Sequence, residues 1–302
     1  MQHSFPALGT TWWITCFDER PETDRQTALK AAESFVRTFE ARYSRFHADS
    51  LISRLNETGE LTDPPTELIE LLTYGKQLYL LTNTHFNLLT GHVLEARGYD
   101  AAYSFTPTDT PVTPGNPITD LVIDETKITV TNSKVDLGGF GKGYLIDRLA
   151  AHLQEQFSWQ YFLINGGGDM WASSRHGEPL TIYLEHPTKP QHYLGTTTLK
   201  NQAFASSSPF KRVWLSATGT YDHIVAPGTV AQEASYIKAP SAAWADALAT
   251  TTLLVSSTDS KQLGADDPET TIARFSPETG QFWSMPDFAF TPYAPSATAR
   301  DS

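Results

Sequence analysis

The chain has 302 residues, 40% hydrophobic and 19% charged, the mix of a folded globular protein rather than a disordered or collagenous one. Its 22 Lys and Arg stand against 34 Asp and Glu, a balance of −12 at pH 7. With Lys211-Arg212 as its longest basic cluster, it lacks the clustered cations that nucleic-acid recognition needs, and no stretch reaches the roughly 18 apolar residues that span a bilayer.

Residues 1–5 lack the basic start and apolar run of a signal peptide, which predicts a cytoplasmic chain or one trimmed to its mature start. Residues 5–17, with Trp12, Trp13, Ile14 and Phe17, read as a first strand. Within it Cys16, the single cysteine, excludes an internal disulfide and any zinc site built from several thiolates. A helix over 23–43 follows from the spacing of Ala28, Ala32, Phe35 and Phe39. Residues 43–56 read as a helix end with an Asp/Ser cap for the next turn, or as an aromatic wall against a planar ligand. Asp63-Pro64-Pro65 opens a second helix with a stripe of Leu68, Leu71, Leu72, Leu78 and Tyr79. Residues 105–119, rich in proline, predict an exposed loop, and 121–123 and 127–130 two short strands.

A glycine-rich turn over 138–143 then leads into a helix over 144–156, and 161–164 reads as a buried strand. Short strands are expected at 180–184, 193–199, 223–225 and 235–238, a helix at 243–255, and a closing hairpin from 270–275 and 281–283. From 287 onward the composition predicts a loose tail. With no internal repeat and no dividing linker, the pattern predicts one domain over 1–302 with a mixed α+β fold. Its core covers about 5–255, followed by closing strands over 256–286 and the tail over 287–302.

Four further segments carry candidate chemistry. Residues 136–143 place four glycines and Lys142 at a strand-to-helix junction, suited to phosphate at a helix N-terminus or to a tight packing turn. Neither a P-loop ending nor a GxGxxG fingerprint is present. Asn165-Gly166-Gly167-Gly168-Asp169 suits a cleft wall, a bulge or a sharp turn. Asp246 and Thr250, four apart, share one helix face as hard oxygen donors for Mg²⁺, although an Asp in a first helical turn is also ordinary. His223, with a side chain that titrates near neutral pH, is a candidate general base or a structural histidine.

In this order the segments resemble the ApbE family of FAD:protein FMN transferases. The resemblance rests on residues 5–10, the stretch from Tyr43 to Asn56, and Phe86-Asn87 through Gly98-Tyr99. It continues in residues 135–144, 165–169, 223–227 and 245–250, and covers about 5–255. Leu8 stands where the family commonly has Met, and Ala226-Pro227-Gly228-Thr229 replaces its usual Asp-Pro-x-Thr-Gly.

The resemblance implies a two-lobed fold with FAD in the cleft between lobes, Mg²⁺ on the diphosphate, and transfer of FMN to a Ser or Thr hydroxyl of an acceptor protein with release of AMP. It assigns the metal to Asp246, Thr250 and a backbone carbonyl at Gly139, with Gly141 as rival. FAD contacts fall to Leu8, Phe46, Arg97, Gly98, Tyr99, Asp136, Lys142 and Ile224, and the base to His223. An FAD pyrophosphatase using water as acceptor and a non-catalytic flavin-binding module are the alternatives.

Overall fold

The computed structural model describes residues 1–108, 111–216, 219–225, 228, 230–263 and 267–293. The chain opens as a hairpin of β1 (Gln2–Ala7) and β2 (Thr10–Cys16) rather than one strand over 5–17. Leu8 and Gly9 break it with φ of 51° and 67°, the left-handed pair of a two-residue turn whose twist matches its strands. Helix α1 (Glu22–Tyr43) follows as expected and buries Ala28, Ala32, Val36 and Phe39. The next segment holds a helix of its own, α2 (Leu51–Thr58). Ser50 Oγ caps it by accepting from Ser53 N, and left-handed Gly59 closes it.

Strand β3 (Glu60–Thr62) precedes helix α3 (Thr66–Leu81), which starts after Pro64-Pro65 and buries Leu68, Leu71, Leu72 and Leu78. Short helix α4 (Gly91–Ala96) leads to β4 (Leu121–Ile123) and β5 (Lys127–Val130), which join β3 in a small sheet. Helix α5 (Gly141–Phe157) begins three residues earlier than expected, inside the glycine turn. The reason is a close crossing: a Cβ on Gly143 would lie 2.2 Å from the Ala242 carbonyl oxygen.

Strands β6 (Tyr161–Gly166) and β7 (Asp169–Ser174) form a hairpin across Gly167 and Gly168. Next come β8 (Leu180–Glu185), β9 (Tyr193–Leu199), β10 (Gln202–Ser207) and the hairpin β11 (Val213–Ser216) with β12 (Gly219–Asp222). The strand expected at 223–225 is absent. Asp222 Oδ1 accepts from Ile224 N at 2.7 Å, and this local bond turns the chain at His223 instead of extending it. Strand β13 (Ala234–Ala239) and helix α6 (Ala242–Thr251) follow. Helix α7 (Ser257–Leu263), β14 (Thr271–Phe275), β15 (Phe282–Ser284) and β16 (Thr291–Pro292) complete the chain.

The expected loose tail is docked over its first residues. Phe288 is fully buried, its carbonyl accepts from Thr197 Oγ1, and β16 pairs with Gly195 and Thr196 of β9. An aromatic ring that fills the second core outweighs the loop-forming composition around it. Residues 294–302 lie outside the described residues.

The main sheet has the order β1-β2-β6-β7-β10-β13-β14-β15, and each of its pairings is antiparallel. Its two faces build two cores. Ile237 and Ala205 face the helical core with Leu145, Leu149 and Leu248. Tyr236 and Phe204 face the other way, under the β16-β9-β8 sheet with Leu184 and Phe288. Cover on both sides explains why β13 is buried at every position instead of alternating.

Helices α5 and α6 are locked at their N-termini. Ser241 caps α6 by accepting from Trp244 N, and Asp147 of α5 accepts from Ala242 N at 2.7 Å and Ala243 N at 2.9 Å. The carboxylate thus satisfies two orphan donors of the neighbouring helix and favours its positive end. Asp147→Ala is expected to lower stability by about 1–2 kcal/mol in a urea melt; an unchanged midpoint would remove this cap from the packing scheme.

Candidate functional site

A cavity of about 800 Å³ opens where the helical region of residues 39–105 meets the glycine turn, the start of β7 and the helix α6. That volume suits a cofactor-sized ligand. Around it the structure gathers Leu8, Phe46, Tyr99, Asp136, Gly139, Lys142, His223, Ile224, Asp246 and Thr250.

One end is built from charge. The Lys142 ammonium ion-pairs with Asp169 and lies 3.4 Å from Asp246 Oδ2, which also accepts from Gly143 N at 3.1 Å. Burial works against the lysine charge, yet the two carboxylates override it and hold the Lys142 pKa above the usual lysine value. The Asp246 carboxyl is raised, first by burial and then by the charge of Asp169, with Lys142 pulling it back. Two carboxylates against one ammonium leave this end net negative. The Thr250 hydroxyl, one helical turn beyond Asp246, has no hydrogen-bond partner among the described residues. An all-oxygen donor set with surplus negative charge fits a hard cation such as Mg²⁺. Gly139 sits against Phe86, whose ring would lie 3.0 Å from a Cβ placed there, so the turn stays close to the wall.

The other end is aromatic. Phe46 and Tyr103 stack with centroids 5.0 Å apart and 3° between planes, and Tyr99 stacks on Trp214 at 5.6 Å. The Arg45 guanidinium lies 4.3 Å from the Phe46 centroid and 5.3 Å from that of Tyr99, and donates to the Tyr99 carbonyl. Its Nε pairs with Asp136, whose other oxygen accepts from Gly138 N. Arg45 and Asp136 therefore bolt the ring wall to the glycine turn. The approach to that turn is set by Asn56, which donates to the Val135 carbonyl and accepts from Val135 N.

Two of the expected cofactor residues, Arg97 and Gly98, stand behind the wall rather than on it. Arg97 Nη1 donates to the Ile224 carbonyl, and its own carbonyl accepts from Trp214 Nε1. Gly98 has φ of 86°, and a Cβ there would lie 2.3 Å from Thr106 N, which makes it a packing turn. Asp136 lines the cavity with its oxygens engaged by Arg45 and Gly138, and Lys142 lines it while paired to carboxylates. Leu8 is held at the rim by its N–H donating to Glu40.

Sequence reasoning gave Asp169 and Arg45 no role of their own within their candidate segments and passed over Tyr103 and Trp214. Asp169 had a signal, the glycine run before it; Gly167 and Gly168, at φ of 78° and 109°, form the tight turn that delivers it to the cavity. Tyr103 and Trp214 carried none, because Trp214 reaches Tyr99 and Phe105, and through them Tyr103, only in the fold.

His223 is half-buried, and its Nδ1 is enclosed with no hydrogen-bond partner. Burial pushes its pKa down to about 4, helped by the nearby charges of Arg212 and Lys142. The His223 side chain lines the ligand cavity and is neutral at working pH, and an imidazole in that state can take a proton. The neighbouring residues Ala226, Pro227 and Thr229, where the sequence departs from its family pattern, lie outside the described residues.

Comparison with known proteins adds to this geometry. The model of the ApbE family matches residues 8–274. A Haemophilus influenzae protein named FAD:protein FMN transferase is 24% identical over 74% of this chain and 69% of its own. A Vibrio cholerae protein of the same name is 24% identical over 75% and 71%. Among solved structures, the ApbE protein of Thermotoga maritima superposes with a TM-score of 0.83 at 21% identity, covering 95% of this chain and 97% of that one. The flavin transferase ApbE of Vibrio cholerae superposes with a TM-score of 0.75 at 19% identity, over 94% and 96%. These likenesses cover nearly the whole chain, so the mixed helix-and-sheet fold is shared.

The depressed pKa of His223 has a measurable sign. Between pH 6.5 and about 4 the unfolded chain takes up a proton at His223 that the folded chain refuses, so this residue costs stability as pH falls through that window. A ring-proton NMR titration of the free protein is expected to show a midpoint near 4 for His223; a midpoint at or above 6.5 would contradict the enclosed, cation-flanked site.

Proposed function

The chain belongs to the ApbE family, and on that premise we propose that it transfers the FMN half of FAD to a Ser or Thr hydroxyl of an acceptor protein, with release of AMP. The observation that carries this reading is the arrangement around one cavity: an aromatic corner of two stacked ring pairs set at 73° to each other, a buried acidic cluster with a free threonine hydroxyl, and a histidine with an unpartnered ring nitrogen. A flavin ring suits the wall of Phe46, Tyr99, Tyr103 and Trp214, which offers planar contact and polar edges.

Asp246 and Thr250, with a carbonyl of the Gly139 turn, would hold Mg²⁺, which supplies charge neutralisation on the diphosphate when bound. Lys142, held in place by Asp169, keeps the two carboxylates from repelling each other and adds positive charge beside the same phosphates. The acceptor hydroxyl attacks the phosphorus of the FMN half. Its proton passes to His223, a new O–P ester bond forms, and the bond to the AMP phosphate breaks with its electron pair leaving on AMP. A bound diphosphate also offsets the cations that depress His223 in the free protein, which makes the imidazole a better base in the loaded site. Arg97 holds the backbone at Ile224 and thereby the segment that presents His223.

The test is an incubation of the protein with FAD, Mg²⁺ and a flavinylatable acceptor domain, read by intact mass and AMP release. A covalent FMN adduct, lost on addition of EDTA, is expected. AMP and free FMN with no adduct would replace the transferase by a pyrophosphatase, and no consumption of FAD would contradict both. In the same assay His223→Ala is expected to slow transfer by about 100- to 10,000-fold while FAD still binds. Asp246→Ala is expected to abolish metal-dependent turnover with the circular dichroism unchanged; full activity in either variant would remove that residue from its role.

A further inference from the structure

Four permanently cationic side chains line the cavity: Arg45, Lys142, Lys211 and Arg212. Three are neutralised where they stand, Arg45 by Asp136, Lys142 by Asp169 and Asp246, and Lys211 by Glu185. Arg212 is exposed at the cavity and has no carboxylate partner among the described residues. The pair Lys211-Arg212, the longest basic cluster of an acidic chain, thus divides into one spent charge and one free charge.

The position of Arg212 follows from strand register. Arg212 directly precedes Val213, which pairs with Asp222 at the end of the hairpin, and the Arg212 backbone lies against His223. On its other side Trp214 joins the ring wall through Tyr99. The charge of Arg212 bears on His223, on Lys142 and on Tyr103, as expected of a group standing between the base, the acidic cluster and the rings.

We propose that Arg212 binds the non-bridging oxygens of the flavin-side phosphate, the group next to His223 that undergoes attack. The inference rests on the flavin-transfer reading. A guanidinium presents a planar fork of donors that matches a phosphate in a way an ammonium does not, and it stays charged at any working pH. As acceptor oxygen and leaving AMP exchange places on the phosphorus, Arg212 keeps its hydrogen bonds to the oxygens that carry the charge and is itself unchanged. Lys142 and the acidic cluster serve the opposite side of the diphosphate. Such a division explains why the free cation lies across from the base instead of within the carboxylate cluster.

FMN and riboflavin differ only in the phosphate, so their binding ratio isolates this contact. The experiment is a metal-free fluorescence titration of wild type, Arg212→Gln and Arg212→Lys with FAD, FMN and riboflavin. Wild type is expected to prefer FMN over riboflavin. Arg212→Gln is expected to cut that preference by about 10-fold or more with riboflavin binding unchanged, and Arg212→Lys to retain part of it. A full preference kept in Arg212→Gln, an equal weakening of FMN and riboflavin, or no preference in wild type would overturn the assignment. Failure of wild type to bind FAD at all would instead overturn the flavin-transfer reading on which it rests.

Discussion

The Lys142 ammonium, held between Asp169 and Asp246, is the contact on which the rest of the site depends. Its three members, Lys142, Asp169 and Asp246, come from three different elements: the first turn of α5, the start of β7 and the first half of α6. Burial and the charge of Asp169 raise the Asp246 carboxyl, and the lysine charge pulls it back. The same contact fixes the crossing of α5 over α6, where glycine at 143 is required for the backbones to approach. Gly143 N and Lys142 Nζ both reach Asp246 Oδ2, so a residue that could ligate a metal is oriented by the backbone and side chain of the glycine turn. Packing and chemistry share one set of atoms here.

A second constraint joins the charged end to the aromatic end. Arg45 pairs with Asp136 at the entry to the glycine turn while its guanidinium covers Phe46 and Tyr99. Movement of the ring wall therefore moves the turn that carries Lys142. Arg97 adds a third tie, from Trp214 to the backbone at Ile224 beside His223. These bonds run through buried or half-buried groups where an unmatched partner is costly, so the three parts of the cavity hold a common geometry before any ligand arrives. Preorganisation of this kind suits a reaction whose barrier is chiefly electrostatic and positional.

Much of this was legible in the sequence where local pattern and tertiary demand agree. The helix over 23–43 and the strands at 121–123 and 127–130 fall where periodicity places them. Asp246 and Thr250 share a face because they are four apart on a helix. The misses have physical causes. Glycines at 141 and 143 read as loop, yet they begin a helix, and at 143 only the size of glycine permits the crossing with α6. His223 read as strand, yet an Asp222 side-chain bond turns the backbone there. Arg97 and Gly98 read as ligand contacts; in the structure Arg97 bonds to the Ile224 carbonyl and to Trp214, and Gly98 packs against Thr106, none of which a motif reveals. Asp169 and Trp214 join the site only through contacts distant in sequence, Asp169 with Lys142 and Trp214 with Tyr99.

The central claim is that one cavity holds the metal at Asp246 and Thr250 and the flavin ring at the Phe46–Tyr99 wall. A crystal structure of the His223→Ala protein with FAD and Mn²⁺ in place of Mg²⁺, recorded at the manganese absorption edge, tests it most directly. Anomalous density in contact with the Asp246 carboxylate and the Thr250 hydroxyl is expected, with the diphosphate beside it and the isoalloxazine against Phe46 and Tyr99. Metal density elsewhere, or a flavin bound outside this cavity, would contradict the claim.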